Sequence, residues 1–157
     1  MRIDGAIDQL TSSLKDLRTL AQGIHPSLLT EGGLTLALPE LTGRCPIPTE
    51  LAVGVTTRLP PLVESTVYFV VSEALANAAK HSAARRCWVR LERVGAEVEL
   101  VVRDNGRGGA DVHAGTGMQG IIDRVEAVSG TLTVTSHPGE GTTLRALIPI
   151  DPNPPST

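Results

Sequence analysis

Apolar positions recur first at helical spacing, and the pattern then alternates between helical and strand periods. Ile3, Ile7, Leu10, Leu14, Leu17, Leu20 and Ala21 lie three or four residues apart. This predicts an amphipathic helix with a narrow apolar stripe. Such a stripe must be buried, so a partner helix, from a second chain, is expected. Pro26 ends that helix and leaves His25 at its C-terminal end, a position that suits a cation. Residues 28–42 read as a Gly-Gly turn followed by a short helix ending near Leu41. The Gly- and Pro-rich joint over 42–48 is the candidate boundary between a helical arm, 1–42, and a globular domain, 49–150.

Beyond the joint, Leu51, Val53, Val55 and Thr57 alternate within Glu50 to Leu59, which predicts a half-buried strand. Pro60-Pro61 then opens a long helix with apolar residues at Val63, Val67, Val70, Val71, Ala74 and Ala78. Strand-like runs over Cys87 to Val94 and Glu97 to Arg103 are joined by Gly95-Ala96 as a hairpin. A loop rich in Gly and Asp, Asp104 to Gly117, leads into a helix over Met118 to Val128, capped by Gly130. Leu132 to Ser136 and Thr143 to Ile150 are two further strands, and 151–157 reads as a disordered tail. This order predicts an α+β, two-layer sandwich: one mixed, mainly antiparallel sheet with helices on one face.

Composition narrows the function. A chain of 157 residues with net charge −3 has no general basic patch, which argues against nucleic acid as a partner. Trp88, Tyr68 and Phe69 are the only aromatics, too few for base stacking. Cys45 and Cys87 match neither a metal spacing nor a disulfide framework, so a reduced, cytoplasmic setting is expected. No run of about 18 apolar residues exists, so no membrane contact is expected of this chain.

The candidate chemistry lies in the second half. Glu73 and Asn77 are four apart and share a helix face, with Lys80 and His81 about one turn further on. Judged alone, that face fits a solvated helix end as well as a ligand site. Asp104 follows Val101-Val102-Arg103 and precedes Asn105-Gly106. A carboxylate there can accept a hydrogen bond from an exocyclic amine such as that of adenine. Gly115, Gly117 and Gly120 spell G-x-G-x-x-G, but no strand feeds them and no parallel βαβ unit surrounds them. Glycines opening a helix at Met118 still expose backbone N–H groups at its positive end, which suits phosphate; flexible loop glycines are the alternative. Asn77 can offer an oxygen to Mg²⁺, which takes few protein ligands, and Glu73 can orient or deprotonate an attacking group.

The order E-x-x-x-N-x-x-K-H, D-N-G-R-G, G-T-G-M-x-G and G-E-G-T resembles the N box and glycine boxes of the histidine-kinase catalytic ATP-binding domain. That domain belongs to the wider ATPase group that includes DNA gyrase and heat-shock chaperones. The match covers about Leu51 to Ile150. Upstream, L-R-T-L-A-Q-G-I-H-P-S-L-L-T-E-G-G-L resembles the second helix of the dimerisation hairpin in nitrate-sensor-like kinases. The resemblance implies the Bergerat-type ATP-binding fold, with ATP and Mg²⁺ as ligands. It implies Asn77 as the metal-binding residue, Glu73 as the catalytic acid near the γ-phosphate, and Lys80 and His81 beside the phosphates. Asp104 would read the adenine amine, with Gly106 and Gly108 shaping that end and Thr142 supporting it. Gly115, Gly117, Met118 and Gly120 would form the lid.

The chain departs from the family pattern: its lid is short, and no sensor region or acceptor-histidine run is seen in it. The acceptor histidine of the family lies in a run like R-E-L-H-D, which is absent, and His25, His81, His113 and His137 stand elsewhere. A fragment of a longer kinase or a split kinase is therefore expected. Its partners would be a response regulator with a helix-turn-helix output domain and a second subunit bound through the N-terminal helix. A non-enzymatic ATP-binding partner and an anti-sigma-factor-type serine kinase are the competing readings.

Overall fold

The computed structural model describes residues 27–109 and 116–151. The N-terminal stripe, His25, His113, Gly115 and the tail from Pro152 lie outside these residues. Two short helices come first, α1 (Ser27–Gly32) and α2 (Leu34–Gly43). The expected Gly-Gly turn is narrower than the sequence suggests: Gly32 still belongs to α1, and Gly33 alone makes the break, at φ 67°. Residues 28–32 are thus helical as well. Leu34, Ala37, Leu38 and Leu41 are buried on one face of α2, and with Leu29 they join the same apolar cluster as the sheet. The described part of the arm is therefore packed into the core rather than set apart from it at 42–48.

Strand β1 (Thr49–Val53) is half the length its alternation predicts. Gly54 donates its N–H to the Leu91 carbonyl at 2.7 Å and ends the regular pairing. Val55 and Leu59 then turn into the core while residues 56–58 stay exposed. Helix α3 (Pro61–Asn77) starts as predicted, with extended Pro60 before it and Pro61 in its first turn. Val63, Val67, Val70, Val71 and Leu75 are buried along one face.

Strands β2 (Cys87–Val94) and β3 (Glu97–Asp104) form the predicted hairpin, with Cys87 opposite Asp104. Helix α4 (Thr116–Ala127) leads to β4 (Thr131–Ser136) and β5 (Thr142–Pro149). The sheet order is β1-β2-β3-β5-β4, parallel only between β1 and β2. The mixed, mainly antiparallel sheet is thus as expected. Val89, Leu91, Val98, Leu100, Val102, Leu144, Ala146 and Ile148 are buried on its helix-facing side. Gly130 is not the helix cap. Ser129 takes the left-handed conformation, at φ 61°, and Gly130 donates its N–H to Val125 O in a six-to-one closure of α4. Glycine is needed at 130 for space, because a β-carbon would lie 2.8 Å from Leu147 O.

Candidate functional site

The inner face of the sheet turns polar at one end. Register places Thr49, Cys87, Asp104, Thr142 and Ser136 in one row across all five strands. Asp104 is buried, and its Oδ1 accepts the N–H of Gly106 at 2.8 Å. Burial pushes the Cys87 thiol up to about 11, with Cys45 and Asp104 adding to the shift. Thr142 stands opposite Asp104, and its hydroxyl shares a 2.8 Å hydrogen bond with Ser136. Thr142 is thus a strand neighbour of Asp104, with its hydroxyl bonded to Ser136.

The loop after β3 is threaded between two other segments. Arg107 donates its N–H to Ser82 O at 2.6 Å, and Gly139 donates to Arg107 O at 2.6 Å. A β-carbon on Gly106 would run into the Ser82 carbonyl. Gly108, at φ 65°, leaves no room beside the His137 carbonyl, and Gly141, at φ 74°, none beside that of Asp104. Asn105, to which no motif assigns a role, anchors the loop: its Oδ1 accepts the N–H groups of Arg85 and Arg86, both at 2.9 Å. The D-N-G order signals only the local turn in which Asp104 Oδ1 accepts the Gly106 N–H; the Asn105 bonds reach backbone about twenty residues earlier and have no local signature.

The end of α3 departs from its expected course. After Asn77 the helix widens into a π-turn, Ala78–Ser82, which closes at Ala83 with φ 53°. Ser82 Oγ donates back to Ala78 O at 2.7 Å. The wider turn breaks the 3.6-residue spacing, so Lys80 and His81 leave the line of Glu73 and Asn77 and stand exposed.

Glu73 and Asn77 face the start of α4. A β-carbon on Gly117 would lie 3.4 Å from Asn77 Oδ1 and 3.6 Å from Glu73 Oε2, both ordinary contact distances. Neither crowding nor a positive φ demands glycine at 117, so its bare backbone keeps open the space between the two helices. Further along, Gly120 passes Phe69, and the Arg124 guanidinium sits 4.0 Å from the Phe69 ring centroid. The helices thus run past each other in opposite senses. No local pattern marks the Phe69–Arg124 contact, because the two residues are far apart in the chain. The Met118 side chain packs on the core, which leaves its backbone as the part that can serve a ligand.

The structure therefore gathers two groups, Glu73 with Asn77 and Gly117, and Asp104 with Gly106 and Thr142. The Ser82-anchored loop links them. Among the described residues no three of His, Cys, Asp and Glu come together. A divalent cation at Asn77 would take most of its ligands from phosphate and water, as Mg²⁺ does. Among the described residues no helix is long and apolar enough to cross a membrane.

Known proteins share this architecture. The histidine kinase domain of the Erythrobacter litoralis EL346 blue-light activated histidine kinase aligns with TM-score 0.58 and 25% identity, over 74% of this chain and 58% of that one. The ATP binding domain of PrrB from Mycobacterium tuberculosis aligns with TM-score 0.58 and 22% identity, over 72% of this chain and 88% of that one. The fold is thus that of the two-layer ATP-binding sandwiches. In sequence, the sensor histidine kinase MctS of Rhizobium johnstonii is 30% identical over 99% of this chain and 36% of its own length. The signal transduction histidine-protein kinase/phosphatase DegS of Brevibacillus brevis is 29% identical over 88% of this chain and 38% of its own. The chain spans little more than a third of either relative. Residues 63–152 match the family of histidine kinase-, DNA gyrase B- and HSP90-like ATPases, and the chain belongs to that family.

Proposed function

We propose that this chain is the ATP-binding catalytic part of a two-component sensor histidine kinase, which holds Mg-ATP and passes its γ-phosphoryl group to a histidine on a partner helix. The observation that carries this reading is the approach of Glu73 and Asn77 to the bare backbone of Gly117 at the start of α4. Helix starts favour phosphate, and the buried Asp104, held by Gly106, is suited to the adenine amine. Mg²⁺, when bound, neutralises phosphate charge and aligns the phosphates. Asn77 Oδ1 is the protein oxygen that would hold it.

In the transfer step a neutral imidazole nitrogen attacks the γ-phosphorus, the bond to the β,γ-bridging oxygen breaks, and ADP leaves. Glu73 would orient that imidazole and take the proton from its other nitrogen. Phosphohistidine would then supply a response regulator, and the N-terminal stripe would join this chain to a second kinase subunit. Such a kinase would draw on ATP in the cytoplasm. The test is incubation with Mg-ATP labelled at the γ-phosphate and a hairpin fragment that carries an acceptor histidine. Acid-labile label on the fragment is the expected result. Acid-stable label would indicate a serine kinase, and nucleotide binding without transfer a non-enzymatic partner.

A further inference from the structure

Two carboxylates are buried among the described residues, Asp104 and Glu64. Asp104 ends the polar row, whereas Glu64 stands in the first turn of α3, about 20 Å along the helix from Asn77. A buried carboxylate is costly unless it is paired. Arg58 pairs with it: Nε donates to Oε1 and Oε2 at 3.3 and 3.2 Å, and Nη2 donates to Oε1 at 3.0 Å. The Leu59 N–H adds a longer bond to Oε2 at 3.4 Å. The same Nη2 reaches the carbonyls of Leu29 and Thr30 in α1, at 3.3 and 3.4 Å. Glu64 holds the Arg58 guanidinium above its ordinary pKa. Gly33 completes the arrangement, since a β-carbon there would sit 2.7 Å from both Arg58 Nε and Glu64 Oε2.

Three segments thus meet at one planar, forked ion pair: the break between α1 and α2, the loop before α3, and α3 itself. Apolar contacts alone would let two helices slide past each other. A guanidinium that bonds a carboxylate and two carbonyls fixes their angle. We propose that Arg58 and Glu64 are positioning residues, which lock α1 and α2, and with them the direction of α1 at Ser27, onto the helix that carries Glu73 and Asn77. The functional half of this inference rests on the kinase reading: the joint sets where an acceptor helix associated with the upstream chain meets the γ-phosphate.

The test uses the full chain with Glu64→Gln, Arg58→Gln and Arg58→Lys, the last retaining charge without the fork. Amide hydrogen exchange over Leu29 to Leu41 is expected to speed up about tenfold or more, with β3 and β5 unchanged. Affinity for Mg-ATP should stay within about twofold, while transfer to the histidine-bearing fragment falls about fivefold or more. Glu64→Gln combined with Arg58→Gln should do no more than either alone. Exchange that stays unchanged in the arm, or rises equally throughout the sheet, would overturn the joint. Loosened helices with undiminished transfer would overturn the positioning role. A failure of the kinase reading shows in the unsubstituted protein, a failure of the joint only in the variants.

Discussion

The backbone N–H of Gly106 bonds Asp104 Oδ1 at 2.8 Å, so the carboxylate that ends β3 is tied to the loop that follows it. Asp104→Asn keeps an oxygen for that N–H but puts an amide donor where an adenine amine would need an acceptor. Affinity for ATP, measured by calorimetry, should fall about tenfold or more, equivalent to about 1.4 kcal/mol, with the far-ultraviolet spectrum unchanged. Undiminished affinity would remove Asp104 from the adenine end.

Gly117 offers the complementary experiment. Its β-carbon would find ordinary contacts, and alanine favours a helix over glycine by roughly 0.5–1 kcal/mol. Gly117→Ala should therefore raise the melting temperature slightly while weakening Mg-ATP binding, because the methyl group occupies the space before Asn77 and Glu73. A variant that is more stable and equally able to bind would show that the start of α4 is not the phosphate end.

Gly139 and Gly141 separate backbone strain from crowding. Both have positive φ, 80° and 74°, but a β-carbon on Gly139 meets open space while one on Gly141 runs into the Asp104 carbonyl. Gly139→Ala should cost about 1–2 kcal/mol, the usual penalty for an L-residue in that region. Gly141→Ala should cost more than about 4 kcal/mol or prevent folding. Urea titrations of the two variants decide the point, and equal costs would contradict the crowding at 141.

Cys87 predicts a pH dependence. Its folded pKa of about 11 lies above the ordinary 9.0, so the folded state resists ionisation that the unfolded state accepts. The contribution to stability is fully present below pH about 9 and is lost as pH rises toward about 11. Thiol titration at pH about 8 should label the half-buried Cys45 and leave Cys87 untouched until the chain unfolds. Simultaneous labelling of both in the folded protein would contradict this.

Local pattern made part of this molecule legible. The spacing of Val63, Val67, Val70 and Val71 marked α3, and the glycine-punctuated motifs marked the loops around Asp104. Pattern misled where it ran past a physical stop, as in β1, whose alternation continues beyond Gly54 although the pairing does not. Gly130 looked like a cap because glycine tolerates a left-handed backbone, yet Ser129 takes that conformation and Gly130 makes room for β5. The π-turn at Ala78–Ser82 and the Phe69–Arg124 contact have no local signature. The Arg58–Glu64 pair lay within a few residues in the chain, but only the packing of α1 gives it a purpose.

The polar row from Cys87 through Asp104 and Thr142 to Ser136 has a consequence for assembly. Two of its pairings are local, within the β2–β3 hairpin and between β4 and β5, but Asp104 meets Thr142 across a long chain separation, and that pairing forms late because loop closure precedes any gain from contact. Nucleotide capture is then a report on the finished sheet, and a nascent chain acquires it only when β5 docks. Ligand present at that moment stabilises the completed state by mass action, in proportion to the logarithm of its concentration over the dissociation constant. A cell short of ATP would hold this domain closer to its unfolding threshold than a well-fed one.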